Sequence, residues 1–93
     1  MPAAWNEKKA IDYLKDQALD RGLTLGSTWK HWKTGTLYQV VLLTLDEKTL
    51  APLVHYQSLE HPEAMPWTRE ATVFLENVKS GLDWVARFRR EDA

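Results

Sequence analysis

The sequence predicts an α+β fold that is mainly β, with an N-terminal α-helix. The helix precedes either a small, strongly bent antiparallel sheet or an SH3-like barrel, and the barrel is the preferred architecture. Residues 6–21 carry apolar side chains at helical spacing. Residues 28–89 contain about five short β-prone runs separated by turn residues. Because a chain of 93 residues supports one hydrophobic core, residues 1–93 are expected to form a single domain.

The N-terminal helix has a clear signal at each end. Asn6 can accept a hydrogen bond from the first turn, and Glu7 adds a negative charge there. Gly22, which follows Arg21, predicts the end of the helix. The predicted apolar stripe consists of Ala10, Ile11, Leu14, Ala18 and Leu19. An isolated helix of about 15 residues is only marginally stable in water, so we expect it to pack on the sheet within its own chain or across a dimer.

The next segment predicts three antiparallel strands. A first strand over residues 28–33 and a second over residues 37–45 flank a tight turn at Gly35. The second strand is apolar on both faces, which predicts a central strand with the core on one side and the helix or a partner on the other. A polar turn leads to a third strand over residues 51–59. The tight connections require the second strand to pair with both neighbours.

The C-terminal third predicts shorter elements. Residues 67–68 follow a proline-marked loop and are expected to form a short strand, and residues 69–78 one or two helical turns. Ser80 and Gly81 interrupt the chain before a last strand over residues 84–89. The helical turns are expected to bury Val73, Phe74 and Val78. The last strand should place Trp84, Ala86 and Phe88 on one face.

Composition and charge exclude several classes of function. Lys and Arg total 12 against 13 Asp and Glu, and a formal net charge of -1 argues against affinity that comes from a long run of phosphates. The absence of cysteine excludes disulfides, thiolate zinc sites and a cysteine nucleophile. No window approaches the roughly 18 apolar residues of a membrane span. We therefore expect a soluble, cytoplasmic protein without a cofactor.

Seven residues are candidates for ligand binding because they combine aromatic rings with cations or an imidazole. They are Trp29, His31, Lys33, Tyr56, Trp67, Arg69 and Arg87. Rings stack on flat groups, and cations hold anionic ones. Positions two apart share one face of a strand, so Trp67 and Arg69 should lie side by side. We expect one shared pocket, since closing a barrel brings its first and last strands together.

Each candidate also has a purely structural interpretation. His31 is as well explained by a satisfied, half-buried imidazole, and Trp67 with Arg69 by a cation-π pair on the surface. The five tryptophans are expected to lie mostly in the core, because a small domain has few other large side chains. A zinc site from His31, His55 and His61 would need three separate segments to converge. An enzyme is the least favoured class, because no base, nucleophile and orienting group stand at usable spacing.

The run from Lys30 to Phe88 resembles a short bacterial family known as a domain of unknown function, number sixteen fifty-three. Its members carry the patterns Tyr-x-His-Tyr-Lys-Gly, Leu-Tyr-x-Val, Pro-x-Val-x-Tyr, Trp-x-Arg-Pro and Arg-Phe. The matching residues here, with Phe74 for a further phenylalanine of the family, are Trp29, His31, Trp32, Lys33, Leu37, Tyr38, Val40, Pro52, Val54, Tyr56, Trp67, Arg69, Arg87 and Phe88. Two departures are an inserted Thr34 and Glu70 in place of the proline. The resemblance implies a bacterial or phage origin and supports the fold, but it implies no activity.

Two classes of function remain open from the sequence. A non-catalytic ligand-binding module would use the seven residues to hold a nucleotide or single-stranded nucleic acid in preference to duplex DNA. An interaction or assembly domain would pack the same aromatic surface on a protein partner or on a second copy of the chain, since Trp, Tyr and Arg dominate such contacts. A retained oligonucleotide in native mass spectrometry would favour the first class, and a clean oligomer the second.

Overall fold

The computed structural model describes residues 4–91, so the ends of the predicted domain, residues 1–3 and 92–93, lie outside the described part. Helix α1 (Glu7–Tyr13) continues as a π-helical turn (Leu14–Ala18), and the other elements are β1 (Thr28–His31), β2 (Leu37–Leu45), β3 (Pro52–Ser58), β4 (Trp67–Glu70), α2 (Ala71–Phe74), β5 (Asn77–Ser80), β6 (Asp83–Ala86) and β7 (Phe88–Arg90). The predicted α+β class with an N-terminal helix is therefore confirmed. No helix in the described residues is long and apolar enough to cross a bilayer.

The main sheet is antiparallel and open, with its five strands in the order β4-β3-β2-β1-β7. β2 pairs with both β1 and β3, which confirms the predicted central strand. The bent open sheet is thus correct and the SH3-like barrel is wrong. The barrel fails because β7 has only three residues and pairs with β1, while β4 lies at the far edge beyond β3. A register shift between Val40 and Leu42 bends β2, as bulges do.

The N-terminal helix begins and ends where its caps predict. Asn6 Oδ1 accepts a hydrogen bond from the Lys9 backbone N–H at 2.8 Å. At the other end Gly22 adopts φ +87°, and the Leu23 backbone N–H donates to the Ala18 carbonyl at 2.9 Å. This positive φ favours glycine, and a Cβ there would also lie 2.8 Å from Arg90 Nη1, so the Arg90 side chain would have to move.

The π-helical turn changes which residues of the helix are buried. Ala10 and Ala18 are fully buried, as the stripe predicts, but Leu19 is 52% exposed. Its assignment to the buried stripe is wrong. A π turn holds more residues than an α turn, so it rotates the residue that follows away from the face its spacing predicts.

The hydrophobic core lies on one face of the main sheet, and both helical segments cover that face. Ala18 and Phe74 belong to the same buried cluster as Val40 and Val54 of the sheet. The helix therefore packs within its own chain, on the core side. The expectation that the helix covers the second face of β2 is wrong, because Ala18 packs in the same buried cluster as Val40 and Val54.

The chain after α2 departs most from the predicted elements. The helix is a single turn that buries Phe74, whereas Val78 lies in β5. Ser80 is the last residue of β5, and Gly81 begins the turn of a separate hairpin formed by β5 and β6. The predicted last strand is split, because the chain bends at Arg87 between β6 and β7. Trp84 therefore does not share a core face with Phe88.

The tryptophans are not mostly in the core, contrary to the expectation from composition. Trp29 is 4% exposed, but Trp67 is 61% and Trp84 66% exposed. Both exposed residues lie on edge strands, and Trp84 belongs to the two-stranded hairpin. The core instead obtains its large side chains from Phe74, Phe88 and Tyr56 together with Trp29.

Candidate ligand-binding cleft

A cavity of about 220 Å³ opens at the border of the core, on the face of the main sheet that carries the helices. We call it the aromatic cleft. Its lining residues are His31 of β1, Tyr38 of β2, Tyr56 of β3, Trp67 and Arg69 of β4, and Phe88 of β7. All five strands of the sheet thus contribute to it. The register places His31 opposite Phe88 and Tyr56 opposite Trp67, so these cross-strand neighbours share one face.

The floor of the cleft is a set of rings in mutual contact. The Phe88 ring lies 5.1 Å from that of His31 and 5.3 Å from that of Tyr56, both edge to face. Beneath it, Phe88 stacks on Phe74 at 4.1 Å with an interplanar angle of 8°. Edge-to-face and stacked pairs restrict ring orientation, so the core holds the floor in place. Trp67, at the rim, makes no ring contact with any residue in the described part of the chain, and its ring is open to solvent.

His31 is held as a neutral hydrogen-bond donor. Its Nδ1 accepts from the backbone N–H groups of Lys33 at 3.2 Å and Thr34 at 3.4 Å. An acceptor at Nδ1 assigns the proton of the neutral ring to Nε2. The pKa of His31 is lowered, first by burial and then by the positive charges of Arg69, Arg87 and Lys33. The imidazole thus has a pair of backbone amides as its partners at Nδ1.

Arg69 and the two tyrosines supply the remaining polar groups of the cleft. Arg69 Nε donates to Tyr56 Oη over a long 3.4 Å, which leaves the tyrosine hydrogen free to donate. The pKa of Tyr38 is raised by burial, and then by Tyr56 and Glu60, so this phenol also keeps its proton. Among the described residues no Asp or Glu lines the cleft. It therefore presents donors and rings, and an anion or an acceptor is its natural complement.

Three of the seven predicted site residues do not line the cleft. Trp29 is a core residue whose Nε1 donates to Ser27 Oγ at 2.8 Å, so its assignment as a ligand contact is corrected. Lys33 is exposed in the turn after β1 and contributes its backbone amide and its charge. Arg87 forms an ion pair with Glu76, Nη2 to Oε1 at 2.9 Å. Its charge reaches His31, but its guanidinium is engaged elsewhere.

Two residues of the cleft were not among the predicted site residues, Tyr38 and Phe88. Tyr38 stands two positions before Val40 in a strand, so it shares the face of that core residue. This two-residue spacing and the Leu-Tyr-x-Val pattern were the sequence signals that could have identified Tyr38 as a residue of the cleft. Trp67 and Arg69 do share a face, as predicted, although Arg69 Nε bonds to Tyr56.

The other histidines lie apart from the cleft and from each other. His55 is held between Thr44 Oγ1 at 2.7 Å and Thr68 Oγ1 at 3.0 Å. His61 lies in an exposed loop, with Nδ1 3.6 Å from Glu63 Oε2. No group of three or more His, Asp or Glu residues could hold a metal ion in the described part of the chain.

A family model matches the part of the chain that forms the sheet and the cleft. Residues 27–90 match the family described as "Protein of unknown function (DUF1653)". This chain belongs to that family. The match confirms the resemblance, and within it lie β1 to β7 and every residue of the aromatic cleft, while α1 and its π-helical turn lie outside. No curated protein and no solved structure matches the chain.

Proposed function

We propose that this DUF1653 domain is a non-catalytic module that binds a nucleotide or single-stranded nucleic acid in the aromatic cleft. One observation carries the proposal: the polar side chains lining the cleft are all donors, and its other walls are aromatic rings. A nucleotide combines an anionic group with a flat base that is rich in acceptors. Rings that stack bases beside cations that hold phosphates are the usual means of binding single strands.

The size of the cleft indicates which part of a nucleotide it accepts. Its volume of about 220 Å³ lies below the roughly 300 to 1,000 Å³ of most small-molecule sites. It therefore suits one base or one phosphate, with the remainder of the ligand outside. Trp67 at the rim offers a free ring face, and stacking one base on an aromatic side chain contributes about 1 to 3 kcal/mol. A base inside a duplex is already stacked and cannot reach that ring.

The charge balance supports a ligand that is held by few phosphate contacts. The chain carries a formal net charge of -1, and among the described residues Arg69 is the only Lys or Arg whose side chain lines the cleft. Each phosphate contact to a single strand changes the slope of log affinity against log salt by about -0.7. We therefore expect a shallow slope that corresponds to one or two contacts at this site.

The test is a titration of the wild type and Arg69→Ala with mononucleotides and short single-stranded oligonucleotides at two salt concentrations. Loss of a charge-assisted hydrogen bond should weaken binding by about 1 to 3 kcal/mol and leave the melting temperature almost unchanged. Lys48→Ala is the matched control, because it removes one positive charge from the exposed turn between β2 and β3, at the far end of β2. Arg69→Lys keeps the charge without the planar fork and should bind with intermediate affinity.

Two outcomes would contradict the proposal. If the wild type binds neither mononucleotides nor oligonucleotides, the nucleic-acid interpretation fails. If Arg69→Ala unfolds while Arg69→Lys binds like the wild type, the arginine is structural and the cleft does not use it for the ligand.

The alternative is a protein-interaction or assembly domain that uses the same aromatic surface, and one observation favours it. Met65 is 83% exposed two positions before the exposed Trp67, so two large apolar side chains of this segment are open to solvent. Methionine and tryptophan are both enriched at protein interfaces. A titration in which no nucleic acid binds, together with a concentration-dependent oligomer in sedimentation that Trp67→Ala abolishes, would establish this alternative.

A further inference from the structure

A second cavity, of about 270 Å³, lies beside the end of β1, where the β5–β6 hairpin folds against it. We call it the hairpin cavity. Lys30 and Trp32 border it from the β1 side, Arg89 from β7, and Val85 from β6. It thus repeats the composition of the aromatic cleft, with a large ring, apolar walls and cations. No Asp or Glu of the described residues is among those lining it.

The two cavities lie on opposite faces of the same strands. Lys30 is paired with Arg89 across β1 and β7, and the next register pair is His31 with Phe88. Because successive side chains point to opposite faces, Lys30 and Arg89 lie on the outer face and His31 and Phe88 on the core face. His31 borders both cavities. The two cavities therefore adjoin each other at the end of β1, next to the exposed turn that contains Lys33.

A carboxylate that does not itself line the hairpin cavity pairs with two of its cations. Glu91 Oε2 lies 3.1 Å from Arg89 Nε, and Glu91 Oε1 lies 3.7 Å from Lys30 Nζ. The Glu91 backbone N–H donates to the Thr28 carbonyl at 2.8 Å, so the residue is anchored while its side chain can turn. Ion pairs between partly exposed side chains are weak, so an anionic ligand can displace the carboxylate from Lys30 and Arg89.

We infer that the hairpin cavity is a second binding position for the ligand of the aromatic cleft, and that this ligand is an extended single strand of nucleic acid passing around the end of β1. The inference rests on the proposed function. A strand that places a base at Trp67 can continue past His31 and set a phosphate between Lys30 and Arg89, where Glu91 marks the anion position. A free mononucleotide is too short to occupy both cavities, so the second position selects for length.

Linking two weak contacts in one ligand raises affinity without any new contact, because the second contact forms at high effective concentration. Oligonucleotides that span both cavities should therefore bind more tightly than a mononucleotide. The Glu91 carboxylate competes only with the longer ligand. Its removal should strengthen oligonucleotide binding and leave mononucleotide binding unchanged.

The experiment measures affinities of a mononucleotide and of single-stranded oligonucleotides of about two to eight nucleotides, a range around the site sizes of single-strand-binding domains. The proteins are the wild type, Arg89→Ala, Lys30→Gln and Glu91→Gln. Glu47→Gln is the control for Glu91→Gln, because it removes one negative charge from the exposed turn after β2. Fluorescence anisotropy at several salt concentrations gives the affinity and the salt slope for each pair.

The expected change in oligonucleotide affinity has one sign for the two cation variants and the opposite sign for Glu91→Gln. Arg89→Ala and Lys30→Gln weaken oligonucleotide binding and reduce its salt slope by about 0.7 each, the value of one phosphate contact on a single strand. Glu91→Gln strengthens oligonucleotide binding, and Glu47→Gln does so by less. All four leave mononucleotide affinity unchanged. A gain of affinity cannot arise from partial unfolding. Glu91→Gln therefore tests whether the hairpin cavity is a second binding position even if Arg89→Ala folds poorly.

The failure of this inference and the failure of the proposed function would give different binding results. If oligonucleotides bind no more tightly than the mononucleotide, or Glu91→Gln matches Glu47→Gln, the hairpin cavity is not a second position, while the aromatic cleft keeps its role. If the wild type binds neither ligand, the proposed function itself falls, and the second position falls with it.

Discussion

Two exposed tryptophans on edge strands, Trp67 of β4 and Trp84 of β6, differ in what surrounds them. Their exposed fractions are close, 61% and 66%. Lys79 Nζ already lies 5.1 Å from the centre of the Trp84 ring, and that hairpin has only two strands. Trp67 stands opposite Tyr56, in front of a floor of rings that the core holds in place. Exposure by itself therefore does not define a binding ring, since a fixed set of neighbours is also needed.

The two histidines of the sheet show the same difference. Both ring nitrogens of His55 have threonine partners, so this ring has no free polar atom for a ligand. Among the residues that the structure describes, the His31 ring bonds only through Nδ1, and its other nitrogen is available in the aromatic cleft. A candidate site residue is thus recognised by a polar atom that the fold leaves unused.

The largest expected effect is a difference in the free energy of unfolding between a variant of the cleft floor and a variant of the hairpin. Phe88→Ala removes a buried ring that stacks on Phe74, and it should lower the free energy of unfolding by about 3 to 5 kcal/mol. Trp84→Ala, on the hairpin, should change it by no more than about 1 kcal/mol. Urea denaturation of both variants measures the difference. Equal losses would mean that the hairpin is as well packed as the cleft floor.

The next effect concerns ligand affinity at the two tryptophans. Trp67→Ala should weaken oligonucleotide binding by about 1 to 3 kcal/mol, the contribution of one stacked base. Trp84→Ala is the matched variant and should bind like the wild type, because Lys79 covers its ring. Anisotropy titrations of the two proteins test this, and an equal loss in both would place the ligand on the hairpin as well.

The third prediction concerns the pH dependence of stability that His31 causes. The pKa of His31 lies below its ordinary value of about 6.5 in the folded protein, because of burial and then the charges of Arg69, Arg87 and Lys33. As the pH falls below about 6.5, the unfolded chain gains a proton before the folded chain does. The free energy of unfolding therefore decreases until the pH reaches the pKa of His31 in the folded protein. His31→Gln should reduce this acid-side loss, as measured by melting temperatures from pH 7.5 to about 5.

Ligand binding should change in the opposite direction over the same window. An anion in the cleft favours the charged imidazole and raises its pKa, so affinity should increase as the pH falls. His55→Gln is the control for this dependence and should retain it, since His55 lies outside the cleft. A pH-independent affinity in the wild type would show that the anion does not lie beside His31.

The smallest expected effect concerns the lysine that covers Trp84. Lys79→Ala should lower the free energy of unfolding by about 0.5 to 1 kcal/mol, as for an exposed cation-π pair, and should leave oligonucleotide affinity unchanged. Paired denaturation and binding measurements test it. A gain in binding would mean that Trp84, once uncovered, acts like Trp67, and the contrast between the two rings would then depend on Lys79 alone.

Elements defined by neighbouring residues could be predicted from the sequence. The Asn6 cap and the Gly22 end of the helix depend on side chains and dihedral angles within one turn, and the structure contains both. The pairing of β2 with β1 and β3 follows from short connections, and it is also present. The shared face of Trp67 and Arg69 needs only the alternation of a strand.

The sequence by itself therefore determined the fold class, the helix ends, the central strand and four of the six residues that line the cleft, because each follows from local chemistry or strand periodicity. Only the tertiary structure decided that Trp29 is buried while Trp67 is open, that the sheet stays open, and that the chain bends at Arg87 to form a separate hairpin. Periodicity tells which side chains share a face, but not which faces another layer covers. That depends on contacts between residues distant in sequence, such as Phe74 with Phe88.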